Sequence, residues 1–184
     1  MADAIDPGTR LELYKLVLTR YKDLVSDKET KSVSEIRQRV SPYDDFIRKM
    51  RQNIIADLAV YDPKIHFLQA AQKAMSYIRR IRTCEFAFTF WMRFDEMDRL
   101  NIGTAMDKAL FLTALLRSLE AEDVRVIVTR KGRPLVRFSS SGSDYLFVPE
   151  SGSIIVGEDC AKMLSEDPPA YSFSDLLYEN YEES

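Results

Sequence analysis

Between residues 105 and 119 apolar side chains cover so much of a helix that no polar face is left: Ala109, Leu110, Leu112, Leu115, Leu116 and Leu119 fall on every side of it. Such a helix has to be surrounded by the rest of the chain, and it is the predicted core helix. Directly after it the apolar period changes from 3.6 to 2. Residues 124–128 (Val-Arg-Val-Ile-Val) read as a strand, Lys131-Gly132 as a turn, 135–138 as a second strand, 139–143 as a loop and 145–148 as a third strand. Ser151-Gly152-Ser153 precedes a fourth strand at 154–156. Helices followed by one core helix and a small antiparallel sheet predict an α+β fold.

The N-terminal part supplies the surrounding helices. Leu11, Tyr14, Val17, Leu18, Tyr21, Leu24 and Val25 follow the three-and-four spacing of a first helix, with the stripe expected to be its buried face. Residues 26–32 are polar and aperiodic, and Val33, Ile36 and Val40 mark one or two helical turns in a connector. Ser41-Pro42-Tyr43-Asp44-Asp45 is a helix start, since Ser caps free amides, Pro fits the first turn and acids favour the positive dipole end; that helix is predicted to run to about Val60. After Asp62-Pro63 a third helix buries Phe67, Ala70, Ala71, Ala74, Met75, Ile78 and Ile81. The aromatic run Phe86, Phe88, Phe90, Trp91 and Phe94 suits a buried extended segment, and an acidic stretch at 95–100 leads into the core helix.

Composition closes off several classes. With 184 residues and 21.3 kDa the chain has the size of one domain, and 46% apolar residues give it material for a packed core. The predicted layout is a single domain over 1–184, with a helical N-terminal extension at 1–40, a core at 41–157 and an acidic tail at 158–184. No apolar run approaches the roughly 18 residues of a membrane span, and no basic segment precedes an apolar block at the start, so a cytoplasmic location and no membrane partner are expected. Cys84, Cys160 and the single His66 make neither a disulfide framework nor a zinc set, and no cofactor is expected. Residues 1–83 hold 16 Lys+Arg against 11 Asp+Glu and residues 84–184 hold 10 against 18, but the basic residues are spread through helical patterns as solvated faces are.

Several segments taken in order resemble the transglutaminase-like cysteine protease superfamily, over roughly 43–149. They are Asn53-Ile54-Ile55-Ala56-Asp57 with Tyr61-Asp62, Trp91 with Asp95-Glu96, Gly103-Thr104-Ala105-Met106-Asp107 opening Ala109-Leu110-Phe111-Leu112-Thr113-Ala114-Leu115-Leu116-Arg117, and Val124-Arg125-Val126-Ile127-Val128. The resemblance implies a papain-like core whose nucleophilic cysteine opens the core helix, where the dipole and unpaired amides stabilise a thiolate. The matching position here is Ala105, and a methyl group has no lone pair to attack with. The family's histidine would stand at Arg133-Pro134-Leu135-Val136, which holds none, and the orienting aspartate near Phe147-Val148-Pro149-Glu150, where Glu150 is slightly out of place. Asp107 matches an acidic residue often found two positions after the nucleophile, and reads equally as a first-turn acid.

The sequence therefore points to no catalytic residues and to a vestigial cleft formed by Trp91, Ala105, Asp107, Arg133 and Arg137. Arg130, Lys131, Arg133 and Arg137 could meet a carboxylate or phosphate there, though exposed sheet charge reads the same way. The expected role is a non-catalytic module that binds a protein or peptide. An enzyme rebuilt on Cys84, His66 and Asp107 is the alternative, although acidic neighbours should raise both thiols and a lone first-turn histidine reads as a surface or capping residue. A nucleic-acid-associated factor using Arg79, Arg80 and Arg82 is the third reading, set against a pI near 5.4. The tail, with Phe173, Leu176, Leu177, Tyr178 and Tyr181, reads as a segment for a partner's groove or for its own domain.

Overall fold

The computed structural model describes residues 6–21, 33–85, 91–121 and 123–181. Its helices are α1 (Pro7–Tyr21), α2 (Val33–Arg39), α3 (Asp45–Ile55), α4 (Pro63–Arg80), α5 (Phe94–Leu100), α6 (Ala105–Ser118) and α7 (Glu158–Glu166). Two short parallel strands, β1 (Arg82–Thr83) and β2 (Ile102–Gly103), bridge the end of α4 to the start of α6. The remaining strands are β3 (Val124–Thr129), β4 (Pro134–Ser140), β5 (Ser143–Val148), β6 (Ser153–Val156), β7 (Pro169–Phe173) and β8 (Tyr178–Asn180). They form one antiparallel sheet in the order β6-β5-β4-β3-β7-β8. The chain has an α+β fold.

The core helix is where the sequence puts it. Eleven of the fourteen residues of α6 are buried, which is why α3 and α4 pack on one side of it and β3 and β4 on the other. Phe111, fully buried, anchors the contact: its ring stacks on Phe94 at 4.8 Å and meets Phe46 and Tyr77 at 6.0 and 5.8 Å. The period-2 alternation sorts the sheet into two faces. Val124, Val126, Val128, Val136, Phe138 and Phe147 join the helices in one core. On the far side Ile127, Leu135 and Leu146 form a second cluster with Cys160, Met163 and Leu164 of α7.

Three expectations are corrected, and one segment that the sequence left open is a helix. The predicted stripe of α1 is divided: Val17 packs on the core beside Leu13 and Leu16, while Leu11, Tyr14 and Leu18 are 54%, 52% and 64% exposed; Leu24 and Val25 lie outside the described residues. The helix opened by Asp44, whose carboxylate accepts from the Phe46 and Ile47 amides, ends at Ile55 and not near Val60. The acidic stretch before the core helix is itself helix α5, which stops at Asn101 with φ 54°. Phe86, Phe88 and Phe90 lie outside the described residues, and Phe94 opens α5.

The tail is part of the sheet. β7 pairs with β3 from Val126↔Phe173 onward, and β8 pairs with β7. The link between them is pinned from the helical side by the Arg117–Asp175 pair, Nε to Oδ1 at 2.7 Å and a second bond at 3.1 Å, and by Arg37 donating to the carbonyls of Ser174 and Asp175. Phe111→Ala should remove the centre of this packing and lower unfolding stability by about 3–5 kcal/mol, measured as the shift in the urea midpoint at unchanged slope.

Candidate functional site

The start of α6 is built by a short polar sequence between two apolar ones. Thr104 stands in extended conformation as N-cap, its hydroxyl accepting from the Asp107 amide at 3.0 Å, while Asp107 Oδ2 accepts from the Thr104 hydroxyl at 2.8 Å and amide at 3.2 Å. This is a capping box with aspartate in the place of the usual glutamate. The Lys108 amide reaches the Thr104 carbonyl, so the amides of Ala105 and Met106 are the donors at this helix end that have no partner among the described residues. Ala105 is partly exposed.

Beside it lie three buried ionisable groups. Asp107 is 1% exposed, and its Oδ1 has no hydrogen-bond partner among the described residues. Burial pushes its carboxyl up to about 6 against the bonds from Thr104 and the charge of Arg39. Lys108, 2% exposed, donates from Nζ to Thr83 Oγ1 at 2.9 Å, and burial pulls it down to about 8. Thr83 in turn donates to the Glu150 carbonyl at 3.0 Å, which ties β1 to the turn after β5. The Cys84 thiol is pushed up to about 11, first by burial and then by the Asp107 charge. Burial also raises the Cys160 thiol, which sits on the far face under α7.

The N-terminal extension grips the segment that holds Trp91. Arg20 of α1 donates to the Trp91 carbonyl at 2.7 Å and pairs with the buried Glu96. Arg39, in the last turn of α2, donates to the Met92 carbonyl at 2.8 Å, and its guanidinium lies 5.6 Å from the Trp91 ring centre. Glu96 also accepts from the Arg93 amide at 2.8 Å and so caps α5. Next to this clasp opens a cleft of ≈ 750 Å³ between α2, α3 and α5, lined among others by Arg39, Phe46, Lys49, Met92, Arg93 and Asp95. Arg39 lines that cleft, and its charge also favours the ionised form of Asp107.

Of the five residues assigned to a cleft from sequence, Trp91 meets Arg39 through its ring and Asp107 through its charge, Ala105 opens the same helix two positions before Asp107, and Arg133 and Arg137 lie apart from them. Val136 and Phe138 face the helices, so Arg137 and Arg133 point to the α7 side of the sheet. There Arg133 binds Asp167 through Nε at 2.8 Å and NH2 at 2.7 Å, and Arg137 binds Asp144 at 3.0 Å. His66 sits in the first turn of α4, where its Nδ1 accepts from the Asp62 amide at 3.0 Å. Cys84 follows the other end of that helix, about 20 Å away by helical rise, so the two do not form a pair. Arg79 packs on Gly152 and Arg82 pairs with Asp6, so the basic end of α4 is not a single patch.

Sequence reasoning missed Arg20, Arg39 and Lys108, and read Glu96 only as part of the Asp95-Glu96 motif, without its pairing to Arg20. Thr104 and Asp107 at three-residue spacing carry a readable capping signal, whereas a single arginine inside an extension helix gives no local sign of the carbonyl it will reach. Among the described residues no three His, Cys, Asp or Glu side chains converge as a metal set would need, and no helix is long and apolar enough to cross a membrane. Comparison with protein-family models, curated proteins and solved structures gave no match.

The two buried charges of α6 act on stability in opposite pH windows. Asp107 titrates higher in the folded chain than its ordinary 3.8, so the folded state holds that proton more tightly and stability falls as pH rises from about 4 to about 6. Lys108 titrates lower than its ordinary 10.5, so stability rises as pH climbs from about 8 to about 10.5. Asp107→Asn should flatten the acid-side slope, by up to about 3 kcal/mol between pH 4 and 7, and leave the alkaline slope in place. Lys108→Met should do the reverse. Urea midpoints from pH 4 to 10 read both, and an unchanged acid slope in Asp107→Asn would assign it to another group.

Proposed function

We propose that this chain is a transglutaminase-like domain without catalytic activity that binds a protein or peptide beside the start of α6. The observation that carries the reading is the chemistry of that helix end. Position 105 offers two free amides and a methyl group where acyl transfer needs a nucleophile, and the ionisable neighbours Asp107, Lys108 and Cys84 are turned inward and buried. A thiol held near 11 supplies almost no thiolate at neutral pH. Binding is supported by the cleft between α2, α3 and α5. Phe46 and Met92 give it apolar surface and Lys49, Arg93 and Asp95 give it charges of both signs, the composition that orients an extended peptide rather than a polyanion.

Restoring the thiol tests the alignment. Ala105→Cys should create a cysteine with a pKa below the ordinary value of about 8.5, because it meets the free amides and the dipole of α6. Iodoacetamide rates from pH 5 to 9, resolved by mass spectrometry, read it against the slow native Cys84 and Cys160. An ordinary pKa in the variant would place the family's nucleophile elsewhere and remove the basis of the reading. For binding, random displayed peptides selected on the native chain should lose at least about tenfold in affinity against Phe46→Ala or Lys49→Glu. Peptides indifferent to both substitutions would take the partner away from this cleft.

A further inference from the structure

The charged side chains that line the cleft between α2, α3 and α5 are not equally available to a ligand. Asp44 caps α3, accepting from the Phe46 amide at 2.9 Å and the Ile47 amide at 3.1 Å. Asp45 pairs with Arg48 at 3.2 Å, and Asp95 takes Arg93 at both oxygens, at 3.0 and 2.6 Å. Glu35 is engaged as well, and Arg39 turns its guanidinium to the Met92 carbonyl and the Trp91 ring. Lys49 stands apart from all of these. It is exposed, it lines the cleft from α3, and its ammonium has no ion pair or hydrogen bond among the described residues. Each acid of the cleft therefore has a partner already, and the unmatched charge is positive.

The position of that charge adds a spacing. Phe46 and Lys49 are three residues apart on α3 and both line the cleft, which sets their Cβ atoms about 5–6 Å from each other on one face of the helix. An extended peptide returns to the same side at every second residue, about 6.6 Å further along. Residues i and i+2 of such a peptide therefore reach Phe46 and Lys49 together. Met92 and Phe94, both buried, add apolar surface to the cleft. The exposed Gln38 carboxamide of α2, also without a hydrogen bond among the described residues, carries the donor and the acceptor that match a peptide bond.

On the reading of this cleft as a peptide site, and standing only with it, we infer that the ligand is an acidic peptide: an extended segment with an apolar residue against Phe46 and an Asp or Glu two positions away against Lys49. The charges argue against the alternatives. A basic segment finds no carboxylate that is not already partnered, and a polyanion meets one unmatched ammonium among four acids.

Peptides selected from a random display library on the native full chain should carry this apolar-x-acid pattern. One of them, beside a counterpart with glutamine in place of the acid, reads the contact by fluorescence anisotropy. On the native chain the glutamine peptide should bind about fivefold more weakly, and on Lys49→Met the two peptides should bind alike. Selection on Lys49→Glu should keep the apolar residue and put Lys or Arg two positions from it. Raising salt from about 0.05 to about 0.5 M should weaken the acidic peptide and leave the glutamine peptide unchanged. Lys49 is exposed, so its variants should match the native urea midpoint. If Phe46→Ala does not fold, Gln38→Ala reports the same cleft from an exposed position. Peptides that lose affinity on Phe46→Ala but carry no acid, or whose acid is indifferent to Lys49→Met, overturn the inference and leave the peptide site standing. A library that yields no binder, or binders indifferent to Phe46→Ala and Gln38→Ala alike, overturns both.

Discussion

A helix surrounded on every side along its length depends on how its two ends are closed, and α6 is such a helix. Wherever water does not reach them, its terminal main-chain groups need partners in the protein, and the structure supplies most of these. At the N-terminal end the Thr104–Asp107 capping box does so. At the C-terminal end the Tyr61 hydroxyl donates to the Leu119 carbonyl at 2.7 Å, the Ala121 amide returns to Leu116, and Arg117 reaches the Ala121 carbonyl at 2.7 Å. That turn puts Glu120 at φ 69°, a left-handed position usually given to glycine. Glu120 then pairs with Arg51 at 3.0 Å, so a residue unsuited to the backbone holds α3 to the helix end.

Closing the N-terminal end with an acid explains why that region is charged and yet sealed. A capping aspartate three residues into a buried helix goes into the interior with it, and Lys108 follows one residue later on an adjacent side. The two do not face each other at that spacing, so each finds its own solution. Lys108 bonds to Thr83 and thereby holds β1 against the turn at Glu150, while Asp107 keeps one oxygen unsatisfied and depends on Thr104 and the field of Arg39. The extension helices contribute through this region too. Arg20 and Arg39 bind main-chain carbonyls at 91 and 92, which fixes the segment that enters α5 and sets one wall of the open cleft.

How much of this could be read from the sequence depends on the range of the interaction. The core helix and the meander were legible because each is a local pattern, one without a polar face and one with period 2. The candidate site was legible only in part. Ala105 and Asp107 sit where the motif spacing sets them, but Arg133 and Arg137 went to the wrong side of the sheet. That error was avoidable, since Val136 and Phe138 alternate with them and a core-facing pair sends its neighbours to the opposite face. The split of the α1 stripe was not avoidable: Leu13 and Val17 dock while Leu11, Tyr14 and Leu18 stay exposed, and only the tertiary contact decides which are buried. Arg20 and Arg39 were invisible for the same reason.

The tail shows how a long-range pairing alters the meaning of a segment. From sequence it was an acidic piece with a few aromatics, open to docking on a partner or on its own domain. In the sheet, β7 lies along β3, whose Val126, Ile127 and Val128 are all buried. Without β7 the most apolar strand of the protein would be an edge, with its main-chain groups and both faces' side chains open to any other chain. The acids of the tail belong to this arrangement: Asp175 locks the link to Arg117 and Glu179 puts a charge on the new, shorter edge. The tail therefore moves the boundary of the sheet outward from a strand that could not be left exposed to one that can. At the other end of the sheet β6 pairs with β5 alone among the described strands, and Ile154 and Val156 stand about half exposed there.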